Sequence, residues 1–231
     1  MDTNSNTKAK TRRVALRSKV ITRRRTLTGG GIVKLNVDAA TAILQPIFNE
    51  LPSTKANGDH NLTYGEIEWP TLKYIIEQAN TQQWPSGNGK FYDLGCGRGR
   101  AVLYAALAGP FDQVVGVEIL PERIALAQQA LTKLKQSIPT AGAKVKLLET
   151  SFLNPVLKYK DARVVFFSNL CIDDQTSSAL FSKLNTEMPK GSFLFCSKAP
   201  SALVPAFEHL SVQRMPMTWT PTSEFHVFRH L

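Results

Sequence analysis

Cysteine is scarce in this chain and poorly spaced for chemistry. Cys96, Cys171 and Cys196 are the only three in 231 residues, and no two of them form a Cys-x-x-Cys pair. An odd number without such a pair argues against a disulfide scaffold and a cysteine-rich zinc site, and fits a reducing compartment. No metal is expected. No apolar run approaches the roughly 20 residues of a membrane helix, so no span is expected. The first residues also lack the apolar core of a secretory signal.

Acidic residues are nearly absent from one end. Residues 1–35 hold ten of the 28 Lys and Arg residues but one of the 18 acids, Asp2, so they carry +9 and the rest carries +1. The basic character therefore belongs to a tail, with its cations concentrated in 8–25, and the glycines at 29–31 read as a hinge. Three readings of the tail stand open. Clustered cations suit an arm for nucleic acid or the nucleosome. A segment rich in Arg, Thr and Ser and poor in acids suits an organelle transit peptide. A solvated, disordered tail with no partner is the third.

What is present is a globular pattern, with 43% hydrophobic residues. The reading divides the chain into the tail at 1–35, N-terminal helices and a cofactor-closing loop at 36–89, and a core at 90–231. Apolar spacing predicts helices over 37–51 and from 69 or 70 to 82, the second with Pro70 in its first turn. Strands are then predicted at 90–94, 113–119, 144–148, 163–169 and 192–198, with helices at 100–108, 121–136 and 174–188. Two late strands are expected near 212–218 and 224–229. Regular alternation implies an α/β fold with a mostly parallel sheet covered on both faces.

The strongest motif is Asp93-Leu94-Gly95-Cys96-Gly97-Arg98-Gly99, between an apolar strand and an Ala-rich helix. Glycines there permit a sharp turn and close approach of a ligand to the backbone. A dinucleotide fingerprint needs a third glycine where Arg100 stands, and the Asp-x-Gly-x-Gly-x-Gly spacing is instead that of S-adenosyl-L-methionine binding. Glu118 ends the next strand, where a carboxylate can accept both ribose hydroxyls. Thr150-Ser151-Phe152 follows the third strand, so Ser151 can hydrogen-bond the adenine and Phe152 can lie against it. The expected fold is a class I methyltransferase, a Rossmann-like sheet of seven strands, parallel apart from its terminal hairpin strand.

Four segments, in order, resemble the disruptor-of-telomeric-silencing family, non-SET histone lysine methyltransferases that share this core. Thr63-Tyr64-Gly65-Glu66 resembles the family's Tyr-Gly-Glu loop, and Asp93–Gly99 its glycine loop. Ser168-Asn169-Leu170-Cys171-Ile172 resembles its Asn-Asn-Phe-Ala-Phe, and Met217-Thr218-Trp219-Thr220 with Phe225 its Val-Ser-Trp-Thr and following aromatic. The departures are Ser168 for the first Asn, a one-residue gap before Phe225, His226 in place of the second aromatic, and little of the long helical region of larger members. The minimal members are therefore the ones resembled.

The resemblance implies methyl transfer to a protein lysine ε-amine, histone first. Tyr64, Glu66 and Asn169 would then help hold the cofactor beside Asp93, Gly95, Gly97, Gly99, Glu118, Ser151 and Phe152. Tyr64, Trp219 and Phe225 would wall the lysine channel, and Asn169 would orient the amine. Plainer readings stand beside these: Trp219 and Phe152 as core, Asn169 as a strand end, Tyr64 as loop packing, Glu66 as a surface charge and His226 as structural. Three other functions stay open: an RNA or small-molecule methyltransferase, a mitochondrial protein-lysine methyltransferase, and a chromatin-tethered pseudoenzyme. The location follows the substrate: nucleus for a histone, mitochondrion or cytoplasm otherwise.

Overall fold

The structure is a computed structural model. It describes residues 35–54, 65–82, 84, 89–200 and 204–231. The basic tail, Thr63 and Tyr64 lie outside the described residues. The elements in chain order are α1 (Val37–Asn49), α2 (Trp69–Asn80), β1 (Lys90–Leu94), α3 (Arg100–Ala108), β2 (Gln113–Glu118), α4 (Pro121–Ser137), α5 (Pro139–Ala143), β3 (Val145–Glu149), β4 (Ala162–Phe167), α6 (Asp174–Glu187), β5 (Phe193–Cys196), β6 (Phe207–Met217) and β7 (Thr220–His230).

The strands form one sheet in the order β3-β2-β1-β4-β5-β7-β6. β1 to β5 pair in parallel, and β7 enters antiparallel to both β5 and β6. The expected seven-strand sheet is thus present. Its central strands are covered on both faces, so they read as continuous apolar runs. Successive side chains still divide by parity. Phe91, Val164, Phe166, Phe193 and Phe195 join a core with α1, α2 and α3. Tyr92, Leu94, Val165, Phe167, Leu194 and Cys196 join a second core with α6. Residues 36–82 therefore do not stand apart from the sheet where they are described: Leu44, Phe48, Leu72 and Ile75 share the first core with α3.

Local signals account for the helix starts. The Asn36 side chain accepts the Ala39 N–H at 2.7 Å at the start of α1, and Asp173 accepts the Thr176 N–H at 2.7 Å at the start of α6. Pro70 and Pro121 occupy the first turns of α2 and α4. Two things differ from expectation. α5 was not anticipated, and β6 and β7 are each 11 residues long. Chain order reverses between β1 and β4, and the carboxyl ends of these strands frame the place where ligands bind in such sheets.

Candidate active site

A cavity of about 460 Å3 opens at that switch point. Its floor is the turn after β1, with Asp93, Gly95, Cys96 and Gly97; Glu118 and Ile119 close one side, Ser151 and Phe152 another. Gly65 and Trp219 also line it, with Ser168, Leu170, Cys171 and Ile172 from the loop after β4.

The glycine turn is held from both strands. Gly95 and Cys96 donate their N–H groups to the Val117 carbonyl at 2.8 and 2.9 Å. Glu118, buried, accepts Gly97 N–H at 2.9 Å on one oxygen, and Ile119 and Leu120 N–H at 2.9 and 3.0 Å on the other. Three bonds leave an ionised carboxylate about one further acceptor position. Glu118 is therefore a brace of the loop, with room for about one ribose hydroxyl and not the two expected.

Two features fit this cavity to S-adenosyl-L-methionine. Gly95 has φ of +80°, and a Cβ there would meet no heavy atom within 4 Å. The space any other side chain would enter is left for a ligand. Asp93 is buried, and among the described residues no hydrogen bond reaches its carboxylate. Burial, and then the Glu118 charge, pushes this carboxyl up to about 8. A ligand ammonium group is the natural counter-charge.

Asp93 yields a first prediction. The folded protein holds the proton that the unfolded chain, at the ordinary 3.8, gives up. The stability carried by the neutral form is complete below 3.8 and is lost as pH rises through about 8. Without cofactor, melting of the wild type should fall between pH 6 and 9 relative to Asp93→Asn. Scanning fluorimetry at both pH values checks this, and parallel curves would refute it. The same variant should bind cofactor more weakly.

Glu66 is no surface charge. It is buried and lines the cavity, and its carboxylate accepts Arg98 Nε at 2.9 Å and Arg98 Nη2 at 2.8 Å, and pairs also with Arg100. Its backbone joins the β6–β7 turn: Glu66 N–H donates to Thr218 Oγ1 at 2.9 Å, and Thr218 N–H donates to the Glu66 carbonyl at 3.0 Å. Two of the motif segments are therefore bonded to each other. Trp219 is not core. It is 38% exposed on the cavity wall, and lies so near Gly65 that a Cβ there would sit 2.4 Å from its ring. Ser151 Oγ accepts the Leu153 N–H at 3.1 Å, and Phe152 meets Phe167 edge-on at 5.3 Å, so both line the cavity from fixed positions.

Two expectations need correction. Asn169 is wholly buried and does not reach the cavity. Its Nδ2 donates to the Lys198 carbonyl and its Oδ1 accepts the Lys198 N–H, both at 2.9 Å. With its amide spent on the Lys198 backbone, it fastens the loop after β4 and does not face the cavity. Phe225 is also wholly buried, stacked on Phe195 at 5.8 Å and tilted on Phe166 at 6.1 Å. It supports Phe166, which does line the cavity. Asn169→Ala should accordingly lower stability, because each buried group left unpaired costs about 1–3 kcal/mol. A denaturant titration with an unchanged midpoint would contradict that role.

Sequence reasoning missed Lys198, whose ammonium donates to the Ile172 carbonyl at 3.1 Å and pairs with Asp174 at 2.9 Å. It also missed Arg98, Arg100 and buried Arg123, of which Arg100 and Arg123 line the cavity. An arginine inside the glycine loop was the available signal. His226 lies 3.3 Å from His209, away from the cavity, with its protonation disfavoured by burial and by that neighbour. Among the described residues no group of His, Cys, Asp or Glu could hold a metal, and no helix is long and apolar enough to cross a membrane.

The model of the family described as histone methylation protein DOT1 matches residues 42–205. The chain belongs to the DOT1 family. This is the family that the motif segments resemble; three of the four segments lie within the matched residues, and the fourth, at 217–225, lies beyond them. Solved structures with the same fold include TrmN from Thermus thermophilus, at 13% identity and a TM-score of 0.54, over 69% of this chain and 48% of that one. An rRNA methylase from Streptococcus thermophilus is 10% identical with a TM-score of 0.50, over 70% of this chain and 95% of that one. A provisionally assigned S-adenosylmethionine-dependent methyltransferase from Listeria monocytogenes is 12% identical with a TM-score of 0.50, over 71% of this chain and 96% of that one. No curated protein matches. The DOT1-family chain is a class I methyltransferase whose cofactor is S-adenosyl-L-methionine.

Proposed function

We propose that this DOT1-family enzyme methylates the ε-amine of a protein lysine, with a histone as the first candidate. One observation carries the reading: the cavity that holds the cofactor loop is also lined by the apolar side chains of Trp219, Phe166, Leu170 and Ile172. The family's description as histone methylation proteins supports it. When bound, S-adenosyl-L-methionine supplies an electrophilic methyl group. The chain's own work is to hold the acceptor in line and keep water out. An apolar wall disfavours the ammonium form of an entering lysine and so favours the neutral amine that reacts. Asp93 and Glu118 fix the cofactor side, while Asn169 and Lys198 hold the loop that carries Leu170 and Ile172.

The +9 segment at 1–35 is assigned an electrostatic task, contact with nucleic acid around the substrate, and a nuclear site follows for a histone. RNA is the second reading, favoured by that segment and by solved neighbours described as rRNA methylases. Tritiated S-adenosyl-L-methionine offered in parallel to nucleosomes, free histones, total RNA and organelle lysate tests the choice. Label in histone lysine is expected. Label confined to RNA would overturn the lysine reading, and label confined to organelle protein would move the enzyme to the mitochondrion.

A further inference from the structure

We propose that Glu66 is a positioning residue that ties the acceptor wall at Trp219 to the cofactor loop, so that cofactor bound on that loop stiffens the wall. This goes beyond the lysine reading and holds for any acceptor.

The two ends of Glu66 belong to different parts of the site. Its carboxylate belongs to the cofactor loop. Arg98 sits between Gly97 and Gly99, with φ of +53° and +84°, and its guanidinium makes two bonds to Glu66 while Nη1 donates to the Leu51 and Pro52 carbonyls at 3.3 and 3.0 Å. Arg100, two residues on, pairs with the same carboxylate, donates to the Ile67 carbonyl at 3.1 Å and lies 4.9 Å over the Trp69 ring. Paired charged bonds of this kind are short and directional, so Glu66 follows the loop.

The backbone end belongs to the β6–β7 turn. Glu66 N–H and C=O both bond Thr218, the residue before Trp219, and Ile67 bridges Met217, the residue before Thr218. Gly65 packs so close to the indole that no Cβ would fit between them. Trp219 itself is 38% exposed, so these backbone bonds of its turn help to set its place. A ligand that fixes Gly95–Gly99 fixes Arg98, then Glu66, then Thr218 and Trp219. The coupling predicts ordered addition, with cofactor before acceptor.

Fluorescence quenching tests this without any acceptor. Acrylamide quenching of Trp219 is read as the difference between the full chain and its Trp219→Phe variant, with and without S-adenosylhomocysteine. Saturating ligand should lower the Trp219 quenching constant by about twofold. Thr218→Val removes the hydroxyl that accepts the Glu66 N–H but keeps the arginine pairs. Thr218 is exposed, so the fold should persist. In that variant one of the links is lost, so the ligand effect should shrink while calorimetric affinity stays near wild type, and Thr218→Ser should restore the effect. Ligand that binds in calorimetry yet leaves Trp219 quenching unchanged in the wild type would overturn the proposal. So would an equal effect in wild type and Thr218→Val. Neither result bears on lysine as the acceptor.

Discussion

Gly95→Arg should abolish cofactor binding in a protein that still folds. Affinity for S-adenosylhomocysteine should fall by more than about 100-fold, equivalent to about 2.8 kcal/mol. Two effects combine. A side chain at φ of +80° strains the backbone, and the arginine would fill the space from which no atom now lies within 4 Å. Gly95→Ala separates them, since its single methyl leaves most of the cavity open. The alanine variant should lose about 1–2 kcal/mol of stability from the left-handed backbone, and less than tenfold in affinity. Calorimetry paired with thermal denaturation reads both. A folded Gly95→Arg protein with normal affinity would remove the cofactor assignment.

Glu66→Ala should be among the most destabilising single changes in the molecule. The Glu66, Arg98 and Arg100 side chains are 9%, 9% and 14% exposed, so the pairs are buried. Removing the shared carboxylate leaves two guanidinium groups around a hole, with Arg100 keeping only Glu68 at 3.8 Å as a described acidic partner. Losing one partner of a buried pair costs about 3–5 kcal/mol. For a chain of this size that is a fall in melting temperature of roughly 6–20 °C. Replacing all three residues together by leucine or methionine should recover part of the loss, because no buried charge is then stranded. A Glu66→Ala protein that melts like wild type would show that the carboxylate is solvated.

The sheet was legible because each buried strand is short, apolar and bounded by turn residues, as 90–94 and 163–169 show. The strand expected near 212–218 begins earlier, at Phe207, because Glu208, His209 and Ser211 hide its start within a polar stretch. The cofactor side was legible because glycines and a strand-end acid have few other uses in that order. The acceptor side was less so. A motif places Asn169 and Phe225 in the right neighbourhood but not their side chains, and strand parity turned Phe225 into the core while the Lys198 backbone, just past β5, captured the Asn169 amide. The arginine pairs of Glu66 join residues 32 and 34 apart, and the Thr218 bond joins residues 152 apart. No local periodicity reports contacts of that separation.

The central claim is that one cavity holds cofactor against the glycine loop and acceptor against Trp219. Trp219→Ala tests it most directly, by measuring S-adenosylhomocysteine affinity and methyl transfer to histone lysine on the same preparation. The account predicts affinity close to wild type and loss of most of the transfer, a fall in kcat and in kcat/KM. Loss of cofactor binding in a folded Trp219→Ala protein, or transfer to lysine at the wild-type rate, would contradict it.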